Sequence, residues 1–167
     1  MWKVAIKYAL IGVIFEAILF HLGKQFGIHP MVDLRHLLFD ILLFAIFISL
    51  AGYEFKRYHQ QGILHFWQGM TLGFLVYTPL VAVFGGFLFL YFDAGMMEEY
   101  RILAIEMLQK QKSMYIDQLG ENAYKELLRQ VESISKSRLV LSALTKKLAI
   151  GFFVTPAISI VLRKKPV

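Results

Sequence analysis

Four long stretches of the chain are hydrophobic at nearly every position, and shorter polar segments separate them. A helix needs roughly 20 residues to cross about 30 Å of hydrocarbon, because each residue adds about 1.5 Å. The first and third stretches reach this length directly. The second needs the polar residues Asp33 to Arg35 at its start, and the fourth needs the residues from Leu144 onwards. The pattern therefore predicts an all-α integral membrane protein with four transmembrane helices at about 4–22, 34–53, 66–92 and 144–162.

The segment between the third and fourth spans, about 93–142, is the only sizeable part without a long hydrophobic run. Apolar residues at helical spacing predict two amphipathic helices there, at about 94–119 and 122–136. Gly120 is expected to end the first helix, and Asn122 is expected to cap the second. The apolar face of this insert would pack on its own second helix, on the bilayer or on a partner protein. We therefore expect residues 1–167 to form a single membrane domain with one extramembrane helical insert.

Composition strengthens the membrane interpretation. Hydrophobic residues make up 57% of the chain, charged residues only 18%, and the mean hydropathy is +0.57. These values exclude disorder and most soluble enzymes. The chain has no cysteine, which excludes disulfides, thiol nucleophiles and cysteine-based metal sites. The net charge of +6 is better explained by basic cytoplasmic loops than by nucleic-acid binding.

The distribution of Lys and Arg predicts the orientation in the membrane. With a cytoplasmic N-terminus, the inner side would carry six basic residues: Lys3, Lys56, Arg57, Arg163, Lys164 and Lys165. The first outer loop would carry only Lys24 and Arg35, with His29-Pro30 at its turn, which satisfies the positive-inside rule. Seven basic residues in the insert, between Arg101 and Arg138, make the side of the insert harder to predict. We expect both termini to be cytoplasmic.

Ionisable side chains inside the predicted spans are the main candidates for a functional site, because charge is costly in hydrocarbon. Glu16 and Asp40 are expected at similar depths in adjacent spans. His36 lies one helical turn before Asp40, and His21 lies nearer the outer surface. Together these residues form a candidate proton or cation site, since two neighbouring carboxylates would tend to retain a proton. Two alternatives remain open at this stage. The carboxyls could be structural contacts to Tyr, Ser or Thr hydroxyls, or they could lie at the membrane interface.

Other motifs within the spans concern helix shape and packing. Pro79 and Pro156 each follow a Thr and predict helix kinks. Gly69 and Gly73 form a Gly-x-x-x-Gly motif that permits close helix packing. The segments GFLVYTP (73–79) and GFFVTP (151–156) are similar. Because the match covers only six or seven residues, chance or a shared bend motif is a better explanation than a duplicated unit. The histidines show no metal-binding pattern and no catalytic motif is visible, so we expect no metal, no cofactor and no enzyme activity.

The order of these features resembles a bacterial membrane family catalogued as domain of unknown function 4199. The resemblance rests on the basic loop GYEFKRYHQQGILHFWQG, on the segment FLYFDAGMMEEY, and on a final span that ends in RKK. It implies a bacterial inner-membrane protein and transfers no functional residues. Family members are encoded near glycosyltransferases that act on lipid-linked sugars, which suggests such an enzyme as a membrane partner.

The sequence favours two functions over a third, a membrane enzyme, for which the only candidate residues would be His21, Glu16, His36 and Asp40. The leading hypothesis is a non-enzymatic accessory or scaffold protein for a membrane partner, because a catalytic constellation is missing and the insert is amphipathic. The alternative is a small transporter or proton- or cation-coupled carrier that uses Glu16 and Asp40. Because four spans are few for alternating access, such a carrier would have to form a homo-oligomer.

Overall fold

A computed structural model describes residues 1–26 and 35–163. Every element of regular secondary structure in these residues is an α-helix, which confirms the all-α prediction. The elements are α1 (Trp2–Gln25), α2 (Arg35–His59), α3 (Phe66–Tyr91), α4 (Ala94–Lys110), α5 (Lys112–Leu119), α6 (Glu121–Glu132) and α7 (Lys136–Leu162). The predicted turn at His29-Pro30 and the basic residues Lys164 and Lys165 lie outside the described residues.

Helices α1, α2, α3 and α7 are each long and apolar enough to cross a membrane. They form a four-helix bundle in which α1 packs on α2 and α3, and α7 packs on the opposite sides of the same two helices. The start of α1 and the ends of α2 and α7 lie at one end of the bundle. There Lys7 pairs with Glu54, and Lys56 Nζ donates to the Leu162 carbonyl at 2.8 Å. We call this the terminal end.

The insert lies at the other end of the bundle, which we call the insert end. Lys24 near the end of α1 pairs with Glu99 of α4 at 2.8 Å, and the start of α4 joins an aromatic core with the ends of α1 and α3. That core includes Phe20, Phe84, Phe92 and Met97. Polar contacts therefore join the helices at the terminal end, whereas an aromatic core and one ion pair join them at the insert end.

The insert contains three helices rather than the two predicted. The first predicted helix, 94–119, is interrupted at Gln111, where the backbone leaves helical geometry without a glycine or proline to signal it. Gly120 ends α5 with a positive φ of 85°, as predicted. Asn122 is not the cap of the next helix, because α6 already begins at Glu121. Lys125 pairs with Glu121 at 2.7 Å and lowers the pKa of that carboxyl by a hydrogen bond across one exposed turn.

Small residues bring α3 and α7 into close contact. A methyl group added at Gly69 would come within 2.9 Å of Ser159 Oγ, and one at Gly73 would collide with the Thr155 side chain. Gly151 faces Tyr77 in the same way. The two similar segments 73–79 and 151–156 thus pack on each other, each presenting its glycine to a larger residue of the other. Gly69 and Gly73 therefore pack against another helix of the same chain, α7.

Both span prolines lie inside continuous helices, Pro79 in α3 and Pro156 in α7. The hydroxyl of Thr155 donates to the Gly151 carbonyl at 2.7 Å, one position before the carbonyl that Pro156 leaves without a helical donor. The kinks expected at Pro79 and Pro156 stay predictions. Helix α7 also begins at Lys136, eight residues before the predicted fourth span, so its first turns belong to the insert end.

Candidate functional site

All four long helices contribute a side chain to one buried cluster around Lys147. Lys147 Nζ of α7 lies 2.6 Å from Asp40 Oδ1 of α2 and 2.5 Å from Glu16 Oε1 of α1. The same ammonium lies 4.9 Å from the ring centre of Phe84 in α3, within the range of a cation–π contact. Only the contact with Asp40 has hydrogen-bond geometry, so the contact with Glu16 is an ion pair. We call Glu16, His36, Asp40 and Lys147 the central cluster.

The position of Lys147 follows from the buried face of α7. Every fourth residue from Ala143 to Ser159 is buried, and Lys147 lies within this stripe with Gly151 and Thr155. A spacing of four residues keeps side chains on one helical face, which in α7 faces the bundle interior. Lys146, the preceding residue, is rotated by about 100° and is exposed. Lys147 therefore cannot extend along the lipid-facing surface to reach water.

Glu16 and Asp40 reach the cluster in the same manner. In α1 the buried face passes through Ala9, Gly12, Glu16 and Phe20, and the carboxylate takes a position that otherwise holds small or apolar residues. Asp40 lies one turn after His36 on the buried face of α2. Each member of the central cluster is at most 7% exposed. Glu16 and Asp40 therefore lie inside the bundle and not on its outer surface.

His36 adds a second basic group beside Asp40. Its Nδ1 atom lies 3.6 Å from Asp40 Oδ1, so the two form an ion pair when the imidazole is protonated. His36 Nε2 and Glu16 Oε2 are buried without a hydrogen-bond partner among the described residues. Unsatisfied buried polar atoms are uncommon and require an explanation. Both atoms are positions at which a buried water molecule would be stabilised.

The formal charges of the central cluster do not cancel when both carboxyls are ionised. Two ionised carboxylates and one ammonium carry a net charge of −1, which is unfavourable in a low-dielectric interior. One proton on Glu16 makes the cluster neutral. The arrangement therefore offers Glu16 as a position for a single proton.

Apolar side chains enclose the cluster on both sides. Towards the insert end, the ring of Phe20 lies between His36 and Phe84, at centroid distances of 6.5 and 6.1 Å. Towards the terminal end, the next turns of α2 bury Leu43 and Phe44.

His21 does not join the central cluster. Its side chain is exposed and lies near Tyr91 and Gln25, with Nδ1 3.4 Å from the Tyr91 hydroxyl. The physical reason is helical geometry, because five residues turn a helix by about 140° relative to Glu16. Proximity in sequence and depth suggested a shared site, but the two side chains project from different faces of α1.

Lys147 is the cluster residue that the sequence interpretation missed, because it was not among the ionisable candidates although the predicted fourth span, 144–162, includes it. The partner of the carboxyls is its ammonium and not a Tyr, Ser or Thr hydroxyl, so a structural contact between helices stays an open alternative. The available signal was the run of small residues at every fourth position, Ala143, Gly151, Thr155 and Ser159. That pattern identifies the packed face of the last span, and Lys147 is in phase with it.

The part of the chain that the structure describes holds no group of three or more His, Cys, Asp or Glu side chains suited to a metal ion. In the central cluster, the space between the carboxylates that a cation would occupy is filled by the Lys147 ammonium. A metal ion could bind both carboxylates only by displacing that ammonium.

A multi-pass α-helical membrane protein with an ionic cluster inside its bundle is the class that these features define. The chain belongs to the family described as Protein of unknown function (DUF4199), whose model matches residues 7–164. No curated protein and no solved structure matches the chain.

Proposed function

We propose that this protein binds and releases a proton at the central cluster and works as a small proton-coupled carrier. The observation that carries the proposal is the burial of Lys147 between Glu16 and Asp40, with one charge left to neutralise. Intramembrane ionisable groups that face a bundle interior are characteristic of proton relays and transport pathways. Of the two hypotheses from the sequence, the geometry therefore favours the carrier over the accessory protein.

The geometry also favours a proton over a metal cation as the coupling ion. Lys147 already supplies a cation at ion-pair distance from both carboxylates. A proton is far smaller than a metal ion and can bind at Glu16 Oε2, which has no partner in the described chain.

Proton binding would change which helices the ammonium holds together. When Glu16 is ionised, Lys147 links α1, α2 and α7. When Glu16 takes up the proton, its attraction for the ammonium falls and Lys147 remains hydrogen-bonded to Asp40 alone. Helix α1, with Phe20 one turn further on, then becomes free to shift against α7, which gives the coupling a structural basis.

The identity of the membrane and the orientation of the chain in it are part of the same proposal. We place the protein in the bacterial inner membrane with both termini cytoplasmic, since Lys3, Lys56, Arg57 and Arg163 all lie at the terminal end. Because four spans are few for alternating access, we also propose that the carrier is a homo-oligomer.

Proton flux into liposomes tests this function. Purified protein is reconstituted with a trapped pH-sensitive dye, and a potassium diffusion potential is imposed with valinomycin. Vesicles with the unaltered protein should acidify faster than vesicles with Glu16→Gln, because the amide cannot take up the proton. A Glu106→Gln variant, which removes an exposed carboxylate from α4, should retain the unaltered rate. Equal rates for the unaltered protein and Glu16→Gln would contradict the proposal.

The insert supports a second candidate, an accessory role at a membrane protein partner. Its helices expose large apolar side chains at Ile102, Met107, Met114 and Leu119. The family resemblance suggests a glycosyltransferase that acts on lipid-linked sugars as the partner. Purification from native membranes should recover one stoichiometric membrane protein, and a Ile102→Glu/Leu119→Glu variant should lose it. Recovery of the same protein with both versions would contradict this candidate.

A further inference from the structure

A groove opens on the outside of the bundle where α7 leaves the insert. It has a volume of about 610 Å³ and is lined mainly by residues 138–149 of α7, with Ile134 from the preceding turn. Its lining includes two basic residues, Arg138 and Lys146, and two hydroxyl residues, Ser142 and Thr145. The groove does not include any member of the central cluster.

The two basic side chains are available for a ligand. Both are exposed, and in the described residues neither the Arg138 guanidinium nor the Lys146 ammonium forms an ion pair. They lie eight residues apart on one helical face, about 12 Å along the axis, with Ser142 midway between them. Two long cationic side chains at this spacing can both reach an anion placed between them.

The position in the membrane indicates what kind of anion this is. Lys146 directly precedes Lys147, which lies inside the bundle, so Lys146 must extend towards the insert end to reach the headgroup region. On the same face, two turns further into the membrane, α7 exposes Phe153, seven residues after Lys146. The face is therefore basic where the headgroups lie and apolar where the acyl chains lie.

We propose that this groove binds one anionic phospholipid, with its phosphate between Arg138 and Lys146 and its acyl chains along Ala149 and Phe153. The charge complementarity and the apolar continuation both favour a lipid over a soluble phosphate. The site is independent of the proposed proton chemistry, because it uses the opposite face of α7. The bound lipid would hold the start of α7, including the turns that precede Lys147, against the bilayer.

Native mass spectrometry of the detergent-purified protein, titrated with phosphatidylglycerol, tests the proposal. We expect one preferred bound lipid. Each basic residue near a membrane surface contributes roughly a factor of five, so affinity should fall about 25-fold in Arg138→Gln/Lys146→Gln. The matched control, Lys112→Gln/Arg129→Gln, removes the same charges from the insert and should bind like the unaltered protein. Equal binding by the groove variant, or an equal loss in the control, would overturn the proposal.

Two further measurements use the unaltered protein and need no variant to fold. Inorganic phosphate at millimolar concentration should not displace the lipid, whereas displacement would show that the groove takes a soluble anion and would overturn the lipid assignment. A photoactivatable phosphatidylglycerol should crosslink mainly to residues 134–153. Crosslinks spread evenly over all four spans would contradict a defined site.

Discussion

Lys147 donates a 2.6 Å hydrogen bond to Asp40 although 107 positions separate them in the chain. The bond joins the second and the last membrane helices, and the same ammonium pairs with Glu16 of the first. A charge placed in this way interacts with the whole bundle, because no member of the cluster can reach water without moving a helix. The predictions below follow from that arrangement and from the packing around it.

Replacing Lys147 should destabilise the bundle strongly. Lys147→Met leaves two buried carboxylates without their cation, and breaking a buried ion pair in this way costs about 3–5 kcal/mol. The neighbouring substitution Lys146→Met removes the same group from an exposed position and should cost less than about 1 kcal/mol. Unfolding in detergent without added phospholipid measures both. Similar losses of stability in the two variants would contradict the burial of Lys147.

Removing all the charges together should restore much of that stability. In Glu16→Gln/Asp40→Asn/Lys147→Met no unpaired charge remains, and neutral replacement of a whole buried ionic group is often tolerated. We expect the triple variant to be more stable than Lys147→Met by about 2 kcal/mol, in the same unfolding measurement. A triple variant no more stable than Lys147→Met would show that the three side chains do not act as one group.

The contact between α3 and α7 should be sensitive to one added methyl group. Gly73→Ala directs its new methyl at Thr155, and overpacking of this kind costs about 1–3 kcal/mol. Gly86→Ala, in the same helix, meets no neighbouring atom within 4 Å and should be neutral or slightly stabilising. Thermal unfolding in detergent compares them. Equal effects at the two glycines would contradict the packing of Gly73 on α7.

The side occupied by each bundle end can be tested directly, because the unaltered chain has no cysteine. Ser113 lies on the insert and Tyr58 at the terminal end, and both are exposed. In intact cells, a membrane-impermeant maleimide should label Ser113→Cys, and Tyr58→Cys should react only after permeabilisation. The reverse pattern would invert the orientation that we propose. Labelling of both from outside would contradict an arrangement of four spans.

The sequence predicted the fold well because hydropathy and helix length depend on local composition. The four long apolar helices and the helix end at Gly120 follow from such local patterns. The break at Gln111 was not predictable in this way, because no glycine or proline marks it.

The central cluster was only partly predictable, for a different reason. His36 and Asp40 share a face of one helix, so their proximity follows from spacing alone. His21 was grouped with Glu16 by depth, but its direction from the helix differs. Lys147 comes from a helix more than a hundred residues further on, and only the packing of α7 brings it between the carboxylates. Spacing within one helix predicts which residues share a face, whereas contacts between helices require the fold.

Infrared difference spectroscopy of the purified protein between acidic and alkaline pH tests the central claim most directly. A buried carboxyl that exchanges a proton gives a carbonyl stretching band in its protonated form. We predict a pH-dependent carboxyl band that disappears in Glu16→Gln, shifts in Asp40→Asn and persists in Glu106→Gln. A spectrum in which Glu16→Gln and Glu106→Gln leave the carboxyl bands equally unchanged would contradict proton exchange at the cluster.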